Sequence, residues 1–310
     1  MTPQAVFVCG ATGTQGGALA RQLLSKGIAV HAVARDSTSP KAKSIASLGA
    51  KLWHGDFDNE NALRDALAGT AAVFFNFMPD FNDASANLRQ AKLIIRLAQA
   101  AGVTHAVCSS GMSPDRLKDV LDGVAEDAFF SRMMRAKLDI EKEVRLGFQT
   151  STILRPGFFM ANFVQPLVKM FPDLTSTGKW TTALLADTRL TLTDTETVGV
   201  FAAAAVIDPE RFNGKDIRFF DELLTTEEIA QKLRVATGKD IERRTLPEED
   251  VQEQKEANPF IRGQLAMRTM ARYESLEEVR GFNLPLSTFD AFLAREKEAL
   301  DITFANVPKA

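Results

Sequence analysis

Gly10, Gly13 and Gly16 stand at three-residue intervals, directly after the apolar run Val6-Phe7-Val8-Cys9 and directly before a helical stripe of Leu19, Leu23 and Leu24. Strand, glycine turn and helix in that order suit a pyrophosphate. Gly10 allows the tight turn, Gly13 admits a phosphate against the backbone, and Gly16 lets the helix close on the strand. The unpaired N–H groups and positive dipole end of the helix would face the anion. Thr12, Thr14 and Gln15 complete the turn. A purely structural turn is the plain alternative; the flanking strand and helix favour a dinucleotide.

The next strand ends Ala32-Val33-Ala34-Arg35-Asp36, with Lys41 close behind. An acidic residue at this point binds the ribose hydroxyls of NAD, whereas an arginine accommodates the 2′-phosphate of NADP. Arg35 offers a planar donor fork and Lys41 a point charge, so the chemistry favours NADP(H), with NAD second. Asp36 is the competing group, and a solvated strand-end charge is the plain alternative for Arg35.

Such groups need a scaffold that sets strand ends side by side. Strand patterns at Ile28–Ala34, Lys51–His54, Ala71–Phe77 and Val103–Cys108 alternate with helical ones at Lys41–Leu48, Asn59–Ala68 and Asp83–Ala101. Asp58 or Asn59 would cap the second of these helices, and Gly102 would stop the third. The alternation predicts an α/β fold, a Rossmann-type doubly wound parallel sheet with ligand groups at the strand C-terminal ends. Arg35, Asp56, Phe77, Ser109 and Ser110 all lie at such ends.

The second half changes character. A sixth strand at Ser151–Leu154 runs into Arg155-Pro156-Gly157 and an aromatic stretch, Phe158 to Phe163. A helix follows at Asp194–Ile207 and a strand at Ile217–Phe220, then helical patterns at Thr225–Thr237, Pro247–Lys255, Ile261–Met270 and Thr288–Leu300. We expect a dinucleotide domain over 1–150 with a return segment near 190–222. Residues 151–189 and 223–310 would form a smaller, mostly helical lobe for substrate or partner.

Composition narrows the classes. With 310 residues, 45% hydrophobic and 25% charged, and a net charge of −3, the chain reads as an ordinary globular protein. No basic block suggests nucleic acid, and no apolar run is long enough for a bilayer or a secretory leader. Cys9 and Cys108 sit in apolar strand-like runs, which fits two free thiols and a cytoplasmic setting. His31, His54 and His105 lack zinc spacing, so no metal is expected.

The order of elements resembles the NmrA-like family of atypical short-chain dehydrogenases/reductases. The resemblance rests on Gly10 to Gly16, Arg35, Gly55-Asp56, Lys137 with Glu141 and Val144-Arg145, Thr152 to Phe163, and Asp194 to Gly199. It covers about two thirds of the chain, and the family holds both reductases and cofactor-binding regulators. It implies that Lys137 binds the nicotinamide ribose, and that Asp56 and Phe57 approach the adenine. It also implies that Phe159 and Asn162 lie beside the nicotinamide, with Ser109 or Ser110 near the active-site hydroxyl. Turn-forming serines, core phenylalanines (Phe158, Phe159, Phe163) and a solvated lysine are the bland alternatives.

One departure matters. Short-chain reductases set a tyrosine acid four residues before the lysine, on the same helix face. Here that position is Met133, and the single tyrosine, Tyr273, is far along the chain. Isoflavone-reductase-like relatives also use a lysine without the tyrosine. The expected activity is reduction of a small aromatic or conjugated carbonyl or enone lying between the lobes, with Met133, Asn162 and Phe163 against it. The alternatives are a cofactor-sensing regulator with a protein partner, and a non-redox isomerase or cyclase. Gly13→Val is expected to abolish nucleotide binding by calorimetry while circular dichroism shows a folded protein, because the new side chain fills the pyrophosphate path.

Overall fold

The computed structural model describes residues 3–78, 80, 83, 85–112, 129–255, 257–271 and 274–310. The order begins β1 (Ala5–Val8), α1 (Thr14–Ser25), β2 (Ala29–Ala34), α2 (Pro40–Ser47), β3 (Lys51–His54), α3 (Glu60–Leu67), β4 (Ala72–Phe75), α4 (Ala86–Ala100) and β5 (His105–Ser109). It continues with α5 (Phe129–Gly147), β6 (Thr150–Pro156), β7 (Phe158–Phe159), α6 (Pro172–Thr177), β8 (Lys179–Thr182), β9 (Arg189–Thr193), α7 (Thr195–Ile207), α8 (Pro209–Phe212) and β10 (Asp216–Phe219). β11 (Glu222–Thr225), α9 (Thr226–Thr237), β12 (Glu242–Thr245), α10 (Glu248–Gln254), α11 (Pro259–Met270), α12 (Leu276–Arg280), α13 (Phe289–Arg295) and α14 (Lys297–Thr303) follow. The chain divides into two units. One comprises Met1–Asp115, Ser131–Pro156 and Thr195–Arg218; the other holds Gly157–Asp194 and Phe219–Ala310.

The first unit is built on a seven-stranded sheet in the order β10-β6-β5-β4-β1-β2-β3. β1 to β6 pair in parallel, in the doubly wound arrangement expected. The order reverses between β1 and β4, which is where such sheets open a crevice at their C-terminal ends. Strands covered on both faces must be apolar throughout, and Ala5–Val8 and Ala72–Phe75 are buried at every position. Asn59, rather than Asp58, caps α3 by accepting the Ala62 N–H at 3.1 Å. α7 is apolar on all sides, with Val198, Phe201, Ala202, Ala203, Ala205 and Val206 buried. A helix of that kind belongs inside a core. Its Gly199 lies against α1: a Cβ there would come within 2.7–2.9 Å of the Ala18 carbonyl carbon, oxygen and Cβ.

The second unit holds more strand than expected. β11, β9 and β7 form one small sheet, antiparallel between β11 and β9 and parallel between β7 and β9. β8 and β12 pair in parallel as another. β12 reads Glu-Arg-Arg-Thr, too short and too polar to show a period. The stretch Thr288–Leu300 is two helices rather than one, since α13 ends at Arg295 and α14 begins at Lys297. Phe163 centres the core, edge-on to Trp180 at 5.2 Å and beside Phe171 and Phe289 at 5.9 and 5.7 Å. The fully buried Asp194 takes two bonds from Arg295, at 2.7 and 2.9 Å. Among the described residues no helix is long and apolar enough to cross a membrane.

Gly199→Val is expected to destabilise the protein by about 1–3 kcal/mol, since backbone rather than a flexible side chain occupies the space. Urea unfolding of the two proteins checks this.

Candidate functional site

Gly10 has φ +68°, a backbone that turns the chain sharply out of β1 at little cost only to glycine. The Gly13 N–H donates to the Gly10 carbonyl at 2.8 Å, and the Gly17 N–H opens the helical ladder on the Gly13 carbonyl at 3.0 Å. Gly13 is thus the N-cap of α1, with no side-chain cap and no acidic residue in the first turn. The N–H groups of Thr14, Gln15 and Gly16 have no intrahelical acceptor, so an anion would satisfy them. A Cβ at Gly16 would stand 2.6 Å from the Cys9 carbonyl oxygen and closer still to that of Gly10. The turn is therefore as tight as a phosphate cradle needs, and these residues fit a dinucleotide pyrophosphate.

Past β2, Arg35 and Lys41 are exposed, and neither forms an ion pair among the described residues. Asp36 is engaged differently. Its Oδ1 accepts the Thr38 hydroxyl at 2.6 Å and the Thr38 N–H at 2.8 Å, and these bonds hold the carboxyl below its usual range. Past β3, Asp56 accepts the Asp58 N–H at 3.0 Å. The half-buried Phe57 meets Phe77, which follows β4, edge to face at 5.5 Å. Phe57 and Phe77 thus meet just past the ends of β3 and β4.

At the end of β5 the two serines point to different partners. Ser109 Oγ donates to Gln15 Oε1 at 2.6 Å, joining the strand end to the glycine turn. Ser110 Oγ donates to Glu141 Oε1 at 2.5 Å. Glu141 and Arg155, 4% and 1% exposed, form a two-pronged pair: Nη1 to Oε1 at 2.9 Å and Nη2 to Oε2 at 2.7 Å. Arg155 Nη2 also reaches Asp216 Oδ2 at 2.9 Å, and its Nη1 reaches the Gly111 carbonyl at 3.4 Å. Arg145 holds the other oxygen of Asp216.

Lys137 lies one turn before Glu141 on α5, and its Nζ donates to the Ser110 carbonyl at 3.4 Å. Desolvation lowers its pKa, while Cys108 and Glu141 act in the opposite direction. The Cys108 thiol is itself pushed up to about 12 by burial. Met133, one turn before Lys137, is half-buried.

The sequence motifs contain Glu141, Arg145 and Arg155 but assign them no part, and Asp216 carries no local signal. Spacing alone signals Glu141, four residues after Lys137. In the second unit Phe159 and Asn162 are half-buried, on β7 and in the single helical turn Met160–Phe163. Phe163 is wholly buried among aromatic rings, the core position that is its plain alternative. Tyr273 lies outside the described residues. Among them, no three His, Cys, Asp or Glu side chains are placed to hold a metal ion.

A glycine-capped first helix on a doubly wound sheet defines the Rossmann-type fold. The chain belongs to the NmrA-like family, whose model matches residues 2–300. A curated relative, an NmrA-like family domain-containing oxidoreductase of Aspergillus hancockii, is 28% identical over 253 residues, 76% of this chain and 73% of its own. Among solved structures, the Citrobacter sp. triphenylmethane reductase complexed with NADP(H) is similar with TM-score 0.68 at 19% identity, covering 94% of this chain and 99% of that one. The negative transcriptional regulator NmrA in complex with NAD gives TM-score 0.67 at 18% identity, over 96% of this chain and 98% of its own.

Two predictions concern this charge cluster. Arg155→Ala, which strands Glu141 without its cation, should cost about 3–5 kcal/mol in urea unfolding. Burial pushes Asp216 up, but the hydrogen bonds and charges of Arg145 and Arg155 win and hold it below the ordinary value. A carboxyl lowered in the folded state stabilises above its unfolded pKa and loses that contribution as pH falls through the folded one. Stability should therefore drop on acidification below about pH 4, and less steeply in Asp216→Asn.

Proposed function

We propose that the protein is an NADP(H)-dependent oxidoreductase acting on a small aromatic or conjugated carbonyl or enone. One observation carries this reading: the Ser109–Gln15 bond, 2.6 Å long, ties the anion cradle of α1 to the strand end that leads into Ser110, whose carbonyl Lys137 reaches from α5. A phosphate site and the groups able to manage a proton thus lie along one edge of the first unit's sheet. Gly10, Thr12, Gly13, Thr14, Gln15 and Gly16 would hold the pyrophosphate. Arg35 and Lys41 would take the 2′-phosphate, and their exposure past the end of β2 supports that use. Asp56, Phe57 and Phe77 would receive the adenine end, and Lys137 the nicotinamide ribose.

When bound, the nicotinamide supplies the hydride. The protein's part is to bind, orient and deliver a proton from Lys137, a hydroxyl or water. Met133 carries no proton, so the usual tyrosine relay is absent. Buried free thiols at Cys9 and Cys108 suit work in the reducing cytoplasm. The same Met133 favours the second reading, a cofactor-sensing regulator without turnover.

NADPH should bind more tightly than NADH, and Arg35→Ala should weaken NADPH by about 10- to 100-fold with little effect on NADH, the loss of one charge-assisted phosphate contact. Fluorescence titration of both nucleotides measures it, and equal binding to the unaltered protein would refute the preference. NADPH oxidation against quinones, enones and aromatic carbonyls tests the activity. Tight binding without turnover would leave the regulator.

A further inference from the structure

The hydroxyl of Ser110 has one hydrogen, and the structure shows where it goes. Oγ stands 2.5 Å from Glu141 Oε1, a distance expected of a hydroxyl donating to a carboxylate. A carboxylate only accepts, so the direction of this bond is fixed. Both Glu141 oxygens also receive Arg155, and that guanidinium is anchored in turn on Asp216. The carboxylate therefore cannot swing away without stranding a buried cation. Arg155 extends the same restraint to the loop itself through the Gly111 carbonyl. What Ser110 presents to its open side is a pair of lone pairs.

Lys137 is placed to do the opposite. Its Nζ is bonded to the Ser110 carbonyl, and a Cβ at Gly111 would lie 3.7 Å from it. The amine thus lies along the 110–111 backbone, with N–H groups beyond the one that this carbonyl takes. Among the described residues, the titratable groups that act on it are Cys108 on β5 and Glu141 on its own helix, and Glu141 is in turn paired with Arg155, which is joined through Asp216 to Arg145.

We propose that Glu141, braced by Arg155, is a positioning residue that fixes Ser110 as a hydrogen-bond acceptor and leaves the Lys137 ammonium as the proton donor of this loop. The inference rests on the reductase reading above. In the step it describes, a bound NADPH would supply hydride to the substrate carbon and leave as NADP+, and the protein's own part lies at the oxygen. The carbonyl electron pair moves to oxygen, which takes a proton from Lys137 Nζ, and water reprotonates the resulting amine. Ser110 can meanwhile accept a hydrogen bond from that ammonium or from a substrate hydroxyl.

The test needs no turnover for its first half. The cofactor-free protein is labelled briefly with acetic anhydride across a pH series, and acetylation of Lys137 is read by mass spectrometry. Removing the Glu141 charge takes away support for the ammonium, so Glu141→Gln should move the labelling midpoint down by about one pH unit. Glu141→Asp should restore most of the shift, and Ser110→Ala should leave the midpoint where it is. In the second half, NADPH-dependent quinone reduction should fall on the alkaline side with the Lys137 midpoint. That limb should persist in Ser110→Ala, whatever the height of the profile. An unmoved midpoint in Glu141→Gln overturns the positioning role. If that variant does not fold, Glu141→Asp is read the same way: its midpoint should fall between wild type and a full unit's shift. Loss of all reduction in Ser110→Ala, with NADPH still bound, would make Ser110 the donor and overturn the assignment. A wild-type protein that binds NADPH and reduces nothing removes the reductase reading and the donor role with it, while the labelling midpoint still decides what Glu141 does.

Discussion

A buried guanidinium is costly to take out of water, and Arg155 is almost wholly buried. Its cost is offset only by geometry: two parallel bonds to Glu141 and one to Asp216, with Arg145 closing the far side of Asp216. These four side chains come from α5, β6 and β10, so one charge cluster sets the spacing of three elements. The loop that follows β5 hangs from it through Ser110 Oγ and the Gly111 carbonyl. Remove Glu141 or Arg155 and the other is left as a buried charge without its main partner, which is why the pair works as a unit. Among the described residues the Arg155 Nε is buried with no partner.

From that fixed point the rest of the edge is assembled by short bonds. Ser109, next to Ser110, reaches the glycine turn through Gln15, and the turn in turn sits against the end of β1 through Gly16. Small residues are required wherever backbone meets backbone, and polar ones wherever a strand ends. The consequence is an edge whose polar side chains are held in place by one another. Preorganisation of this kind lowers the cost of binding and of charge development alike.

The parts legible in the sequence are those encoded by near neighbours. Gly10, Gly13 and Gly16 declare a turn within seven residues, and Asn59 declares a cap within three positions of the N–H it accepts. The inner strands β1 and β4 are legible because double-sided burial makes them apolar throughout. Glu141 and Asp216 are different. Their meaning comes from Arg155, 14 and 61 residues away, and no local pattern marks a long-range ion pair. The small strands of the second unit are obscured for another reason: β12 is polar and four residues long, so neither period nor propensity speaks. Phe163 shows the limit from the other side. A phenylalanine in an aromatic run looks the same whether it lines a pocket or fills a core, and only its four ring neighbours decide.

The first unit is drawn from three separated stretches of chain, the last of them Thr195–Arg218. α7, which fills the space beside α1, and β10, which flanks β6, both belong to this late stretch. A nascent chain ending near residue 156 therefore exposes an unpaired strand at β6 and the apolar side of α1 that α7 covers. At about 5–20 residues per second, a ribosome takes several seconds to deliver what is missing. During that interval the emerging protein is an incomplete sheet with an open edge, the form in which chaperones meet their clients.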